Sequence, residues 1–187
     1  MGKKLSEMTL EELWQLFPII LTEHRNCWAD WYVEEESLLH GALREKAVRI
    51  SHVGSTAVKT IWAKPIVDIL VEIPPSEDME ALTKALEPCG YRCMSQSAER
   101  MSFNKGYTEN GFAEKVFHLH LRYAGDHDEL YFRDWLRDHE KDARRYEAMK
   151  LSLWKMYEHD RDGYTEQKTG MVAEMTALAK AAYKGRY

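Results

Sequence analysis

The sequence predicts an α+β fold with a mixed central sheet, flanking helices and a helical C-terminal part. Strand-like and helix-like segments alternate as far as Asp126, whereas the segments after it all have helical periodicity. A length of 187 residues with 44% hydrophobic content suffices for one sizeable core. We therefore expect a single domain over residues 1–187, with an N-terminal helical extension at 1–17 and the helical C-terminal part at 126–187.

The first two helices are predicted from a capping motif and from residue spacing. Thr9 and Glu12 form a Ser/Thr-x-x-Glu capping box, which predicts a short helix that runs to about Phe17 and ends at Pro18. Aromatic and aliphatic residues at helical spacing predict a second, longer helix from about Leu21 to His40.

The central strand of the sheet is predicted at Pro65–Ile73, which is β-branched and aliphatic on both faces. A short strand is predicted before the central strand, at Ala47–His52. Ser76 is predicted to cap the helix that follows the central strand. Further strands are predicted at Tyr91–Ser95, Met101–Asn104 and Lys115–Tyr123. Apolar spacing then predicts two amphipathic helices and a last one capped by Thr165.

Composition and charge exclude several classes of protein. Lys and Arg total 26 against 31 Asp and Glu, for a formal charge of −5, so we expect no general nucleic-acid binding. Apolar stretches fall well short of the roughly 20 residues that span a bilayer, so we expect no membrane association. The sparse Cys27, Cys89 and Cys93, with no CxxC pair and no signal-like start, predict a reduced, cytoplasmic protein.

Two segments in the first half combine polar groups with strand positions. Gly54, Ser55 and Thr56 follow a strand and offer hydroxyls and amides to a phosphate, although a purely structural turn would have the same sequence. Asp68 lies within the most apolar strand, where an unpartnered carboxylate costs several kcal/mol. It is therefore expected to bind a metal or a polar partner, and an ion pair with Lys64 is the structural alternative.

A pair of histidines marks the last strand. His118 and His120 alternate with apolar residues, so their Cα atoms are expected about 7 Å apart on one face. Two imidazoles at this spacing can share a metal or a phosphate. Two solvated histidines on a half-exposed face are the alternative.

Several long motifs occur in a fixed order along the chain. They are Arg49–Ala57, Ala63–Ile69, His118–His120, Phe132–Leu136 and Tyr164–Lys168, with Arg100, Phe103, Lys105, Tyr146 and Lys150 between them. Together these motifs resemble the GrpB family. The resemblance covers nearly the whole chain from about Pro18 onward.

The resemblance implies a nucleotidyltransferase fold of the DNA polymerase β type, in which a Gly-Ser turn lies beside a strand with acidic metal ligands. By this resemblance Gly54 and Ser55 hold nucleotide phosphates and Asp68 is the first acid of a D-x-D pair. Leu70 departs from the pattern at the second acid, and Glu72 lies about 13 Å along the strand from the first, too far to replace it.

A divalent cation is the expected cofactor. The departure at Leu70 argues against a two-magnesium site, because the second carboxylate ligand is missing. A site of Asp68, His118 and His120 favours Mn or Zn, or one Mg ion that arrives with the substrate's phosphates. Asp68 and His120 are the expected catalytic residues.

Basic residues at family-matching positions are the expected phosphate ligands. Besides the turn at 54–56, they are Lys64, Arg100, Lys105, Arg133, Lys150 and Lys168. Arg133 is equally suited to an ion pair with the neighbouring Asp134.

Three functions remain open. The first is a nucleotidyltransferase that uses a nucleoside triphosphate and a metal to modify an unknown acceptor, with His120 as ligand or general base. The second is a catalytically degenerate module that binds a nucleotide or a phosphorylated metabolite, and Leu70 is its main support. The third is a single-metal phosphoesterase that also uses His52.

Overall fold

The computed structural model describes residues 3–187. Its helices are α1 (Leu10–Leu16), α2 (Cys27–Leu43), α3 (Met79–Leu86), α4 (Asp128–Asp138), α5 (Glu140–Trp154) and α6 (Arg161–Ala182). Its strands are β1 (Arg49–Val53), β2 (Val67–Ile73), β3 (Arg92–Gln96), β4 (Arg100–Thr108) and β5 (Gly111–Tyr123). The predicted α+β class is confirmed. Within the described residues, no helix combines the length and the hydrophobicity needed to cross a membrane.

The strands form one mixed sheet in the order β1-β2-β5-β4-β3. β2 and β5 are parallel, and the other neighbouring strands are antiparallel. Because strand side chains alternate between faces, β2 contributes to two different layers. Val67 and Ile69 pack in the main core with Trp28 of α2, whereas Leu70 packs on the other face with Leu130 of α4. The C-terminal helices therefore cover the face that carries Asp68.

The capping box of α1 forms as predicted. Thr9 Oγ1 accepts a hydrogen bond from the backbone N–H of Glu12 at 3.3 Å, and Glu12 Oε2 accepts one from the N–H of Thr9 at 2.9 Å. Both bonds satisfy amides that the first helical turn leaves without partners. The helix ends at Leu16, one residue before the predicted end.

The second helix is shorter at its start than predicted. It begins at Cys27 rather than near Leu21. Thr22 and Ala63 exchange two backbone hydrogen bonds of 3.0 Å in an isolated bridge, and this pairing holds the preceding segment in an extended conformation. Tertiary pairing has therefore overridden the helical spacing of the apolar residues.

Two predicted helix caps are wrong. Asp78, not Ser76, caps α3, because its Oδ1 accepts a hydrogen bond from the N–H of Glu80 at 3.0 Å. The last helix begins at Arg161 under an aspartate cap, so Thr165 lies inside its first turns. In both cases a nearby Asp competes successfully with Ser or Thr for the N-cap position.

Candidate functional site

Asp68, His118 and His120 lie together at the floor of a cleft of about 290 Å³. Asp68 on β2 is paired in register with His118 on β5, and His120 lies two residues further on the same face. The turn at 54–56 borders the cleft from one side, and α5 and α6 border it from the other. We call this the central cleft. The residues that determine its chemistry are Gly54, Ser55, Thr56, Lys64, Asp68, His118, His120, Lys150, Arg161 and Lys168.

Gly54 allows the turn to lie directly against Asp68. Its φ of +69° is in the left-handed region, which a residue with a side chain adopts only with strain. A Cβ atom at this position would lie 2.3 Å from Asp68 Oδ2, well inside contact distance. The Gly-Ser turn and the acid-bearing strand are therefore adjacent, as the resemblance implies.

The second oxygen of Asp68 faces the two histidines. His118 Nδ1 and His120 Nε2 each lie 3.4 Å from Asp68 Oδ1. Burial acts to raise the pKa of Asp68, but the contacts with both histidines outweigh it, so the pKa lies well below its ordinary value. The carboxylate stays ionised at neutral pH.

Both ring nitrogens of His118 have partners. Arg161 Nη2 lies 3.0 Å from His118 Nε2, and the Tyr107 hydroxyl lies 2.8 Å from it. A guanidinium can only donate, so Nε2 is the acceptor and Nδ1 carries the proton that faces Asp68. Burial, with the charges of Arg161 and Lys64, lowers the pKa of His118 to about 4. His118 is thus a neutral positioning residue.

The walls of the cleft carry a surplus of positive groups. Lys64, Lys150, Lys168 and Arg161 line it, against the single carboxylate of Asp68. Burial and the neighbouring cations lower the pKa of Lys64 and of Lys150 to about 7 and that of Lys168 to about 8. Buried amines whose pKa values are lowered this far mark a candidate functional site.

The lysines are held in place by neutral groups. Lys150 Nζ donates to Ser55 Oγ at 3.1 Å and to the carbonyl oxygen of Trp62. Lys64 Nζ and Lys168 Nζ lie 5.6 and 4.4 Å from the centre of the Tyr164 ring. In the described part of the chain, Lys64 and Asp68 form no direct ion pair, so the structural alternative for these two residues is not realised.

Three predicted phosphate ligands lie outside the cleft. Lys105 lies on the opposite face of the sheet, where its ammonium is 2.8 Å from both carboxylate oxygens of Glu35. Arg100 forms a two-pronged ion pair with Asp126, with both N–O distances at 2.7 Å. The prediction that Lys105 reaches the site is wrong because it lies on the other face of the sheet. Arg100 does not line the cleft itself, but it lines an adjoining pocket that shares Gly54 and Lys168 with the cleft.

Arg133 is also engaged elsewhere. Its Nε donates to Asp134 at 2.8 Å, its Nη1 to the carbonyl of His52 at 3.0 Å and its Nη2 to the Tyr187 hydroxyl at 3.0 Å. The local ion pair is therefore the alternative that the structure adopts. These hydrogen bonds connect α4 to β1 and to Tyr187, and Arg133 does not line the cleft.

The site does not suit a two-metal centre. Leu70, where a second acid is expected, is completely buried against Val53 and Leu130. Glu72 is engaged by Arg49 at 2.5 Å and His127 at 2.9 Å. Among residues 3–187, no group of three or more His, Cys, Asp or Glu side chains is arranged to hold a metal ion. Positive side chains around a lone carboxylate oppose a divalent cation as well.

The predicted metal set itself has donor atoms already in use. Asp68 Oδ1 is shared by the two histidines, and His118 has partners on both nitrogens. His52, which the phosphoesterase alternative adds, lies 2.9 Å from Thr56 Oγ1 and stacks on Tyr32 with ring centres 4.9 Å apart. Its pKa falls to about 4 through burial. His52 thus supports the turn rather than the cleft.

Arg161 is the site residue that sequence reasoning missed. It lies between Asp160 and Asp162 at the start of α6, where the pattern is typical of a solvated charge. Its side chain nevertheless reaches His118 and the hydroxyl of Tyr107. No local signal distinguishes it, because its position depends on how α6 packs against the sheet.

Comparisons with known proteins match the chain to the same family that its motifs resemble. The family described as "GrpB protein" matches residues 18–178. A UPF0157 protein of Pseudomonas aeruginosa is 39% identical over 158 residues, which cover 83% of this chain and 65% of that protein. The Glutamate-rich protein GrpB of Alkalihalophilus pseudofirmus is 34% identical over 163 residues, which cover 84% of this chain and 93% of that protein. This chain thus spans less than two thirds of the Pseudomonas protein's length.

A solved structure shares the fold. The crystal structure of the conserved protein GrpB from Enterococcus faecalis has a TM-score of 0.76 to this chain at 26% identity, covering 88% of this chain and 99% of that one. The fold is of the α+β class that the motifs predict. Because the family match extends over most of the sequence, the chain belongs to the GrpB family.

Proposed function

We propose that the central cleft binds the phosphate groups of a nucleoside triphosphate or another phosphorylated small molecule by direct contact with basic side chains. The observation that carries the proposal is the charge of the cleft, in which three lysines and Arg161 face one carboxylate. Lys and Arg are both effective ligands of phosphate oxygens, Lys as a point charge and Arg as a planar fork. A phosphate chain would supply the negative charge that this arrangement lacks.

The turn adds backbone donors to these cations. The first hydrogen bond inside the turn runs from Ala57 N–H to the carbonyl of Gly54 at 3.2 Å, so the N–H groups of Ser55 and Thr56 precede it. Such N–H groups suit phosphate oxygens. Lys150 is bonded to Ser55 Oγ, which places its ammonium beside the same turn. Amides and cations would thus approach one anion from adjoining sides.

This proposal does not require the divalent ion that the sequence favours. The lysines and Arg161 take the place that metal ions have in charge neutralisation, and the single available carboxylate offers little to hold an ion. Phosphate binding is therefore expected to persist in a chelator. This expectation separates direct contact from binding through a metal.

Calorimetric titration with ATP in the presence of EDTA tests the proposal. We expect binding to the wild-type protein and at least tenfold weaker binding to Lys168→Gln, which removes one cation that lines the cleft. Lys59→Gln is the matched control, because Lys59 is an exposed lysine outside the cleft. Binding that disappears in EDTA, or that Lys168→Gln leaves unchanged, would contradict direct contact. UTP, GTP, CTP and dephospho-coenzyme A complete the panel.

Nucleotidyl transfer is the second candidate, and the contact between Asp68 and His120 favours it. With its Nε2 proton facing Asp68, His120 keeps Nδ1 free to accept a proton. An acceptor hydroxyl would form a bond to the α-phosphorus while the bond to the bridging oxygen breaks. Pyrophosphate leaves with that electron pair, and the hydroxyl proton passes to His120. The ionised Asp68 would stabilise the imidazolium, and the cations would stabilise the leaving group.

Pyrophosphate release in the presence of hydroxyl compounds tests this candidate. His120→Asn should reduce turnover at least 100-fold and change ATP affinity by less than threefold, because the phosphate ligands remain. If no hydroxyl compound supports turnover by the wild-type protein, the cleft is a binding site without transfer. Turnover that His120→Asn leaves intact would exclude His120 as the base.

A further inference from the structure

A second, larger groove of about 730 Å³ opens from the central cleft on the side of His118 and His120. One wall is formed by apolar residues of α1, among them Leu10 and Trp14, and the other includes Met94 of β3. We call it the N-terminal groove. The segment that supplies the first wall precedes residue 18, where the family match begins.

The floor of the N-terminal groove is polar. In the β4–β5 register, Ser102 lies opposite His120 and Asn104 opposite His118, so all four side chains share one face of the sheet. Within residues 3–187, neither the Ser102 nor the Asn104 side chain has a hydrogen bond to another protein group. Unused donors and acceptors beside an apolar wall are the features that orient a small molecule.

Charge distinguishes this groove from the central cleft. Lys105 at its border is paired with a glutamate of α2. Arg92 and Asp162 also line the groove, and their opposite charges offset each other. Arg161 lines both spaces, so the three lysines are what give the central cleft its additional positive charge, and an anion is attracted to the cleft more strongly than to the groove.

We infer that the N-terminal groove binds an uncharged second ligand that carries a hydroxyl group next to an aromatic or aliphatic ring. The inference rests on the proposed function, since it names the class of molecule held beside the phosphates. The groove's volume suits one small molecule. The ring would pack against the α1 wall, the polar groups would meet Ser102 and Asn104, and the hydroxyl would reach His120, which lines both spaces. The α1 wall would then select the ligand.

The test uses uncharged probes whose location can be read out in the intact protein. Adenosine, uridine, cytidine, guanosine and 2-phenylethanol are measured by saturation-transfer NMR, with and without inorganic tripolyphosphate. Charged substitutions of Leu10 and Met94, which line the groove, locate the bound probe. We expect at least one probe to bind in both conditions.

Charged substitutions in the wall provide the decisive comparison. Leu10 and Met94 are 52% and 62% exposed, so Leu10→Asp and Met94→Asp are expected to fold and to weaken probe binding at least fivefold. Val33→Asp, at a residue 58% exposed on α2 and outside the groove, should change nothing.

Three results would overturn the inference. They are no binding by any probe, displacement of the probe by tripolyphosphate, and equal binding by the wall variants and Val33→Asp. Tripolyphosphate binding, measured in parallel, reports on the proposed function alone. If tripolyphosphate does not bind while a probe still binds and the wall variants weaken that binding, the phosphate site is refuted and the inference about the groove is not.

Discussion

Removal of the Lys64 ammonium should stabilise the protein and weaken phosphate binding. Lys64 lines the cleft near Arg161 and Lys168, and burial followed by these charges lowers its pKa from the ordinary 10.5 to about 7. The unfolded chain has no such environment and binds a proton at Lys64 throughout the range between these two values. Folding must release that proton, so the wild-type amine costs stability. Methionine has a similar length and no charge.

The size of the effect follows from the shift in pKa. At 1.36 kcal/mol per pKa unit, the lowered pKa of Lys64 reduces the free energy of unfolding at pH 7.5 by about 4 kcal/mol. Relaxation of the protein and water near the amine reduce this loss to roughly 2 kcal/mol. For a chain of this size that corresponds to a rise in Tm of about 4 to 8 °C in Lys64→Met. The wild-type protein gains stability as pH rises from 7 toward 10.5, so the advantage of the variant should roughly halve by pH 9.

Two assays on the same preparations check this prediction. Differential scanning calorimetry in phosphate-free buffer gives Tm at pH 7.5 and pH 9, and isothermal titration gives ATP affinity, which should fall at least tenfold. Lys59→Met, at an exposed lysine outside the cleft, should change neither quantity. A lower Tm for Lys64→Met would show that the ammonium is favourably partnered in the free protein. Unchanged ATP affinity would show that Lys64 does not face the ligand.

Three further outcomes are expected. ATP is fully ionised above pH 7 while Lys150, with a pKa of about 7, loses its proton, so calorimetric affinity should fall by about 20-fold or more from pH 7.5 to 9. Gly54→Ala should lower the free energy of unfolding in urea by roughly 2–4 kcal/mol and abolish ATP binding, because the new Cβ meets Asp68; a stable, ATP-binding variant would disprove that contact. Arg161→Gln should raise the pKa of His118 in an NMR titration, and an unchanged pKa would refute the assigned contact.

The parts of the fold that depend on local chemistry could be predicted from the sequence. The Thr9 capping box and the alternation in β5 specify their elements within a few residues. The unusual position of Asp68 in an apolar strand, together with the histidine pair, indicated the centre of the cleft. These features can be recognised from the sequence because each depends on a pattern within about ten consecutive residues.

The groups that individual basic side chains contact depend on tertiary packing. Lys105 lies three positions after Ser102 on β4, and strand side chains alternate between the two faces of the sheet. The sequence spacing therefore already places Lys105 on the opposite face from the histidines. Strict alternation and the motif match thus disagree at Lys105, and the structure follows the alternation. The contacts of Arg100 and Arg161, by contrast, depend on the packing of separate segments, which no local pattern records.

The burial of Leu70 limits what one substitution can add to the site. This side chain is completely enclosed with Val53 and Leu130, so an aspartate at the same position would place a second carboxylate under α4 without a cation. The cost would be several kcal/mol, a large part of the stability of a typical domain. A chain with this packing cannot acquire a paired-acid site by one substitution, because the helix above would first have to move away from the sheet. The hydrophobic contact between Leu70 and Leu130 thus limits the chemistry that a single mutation can introduce beside Asp68.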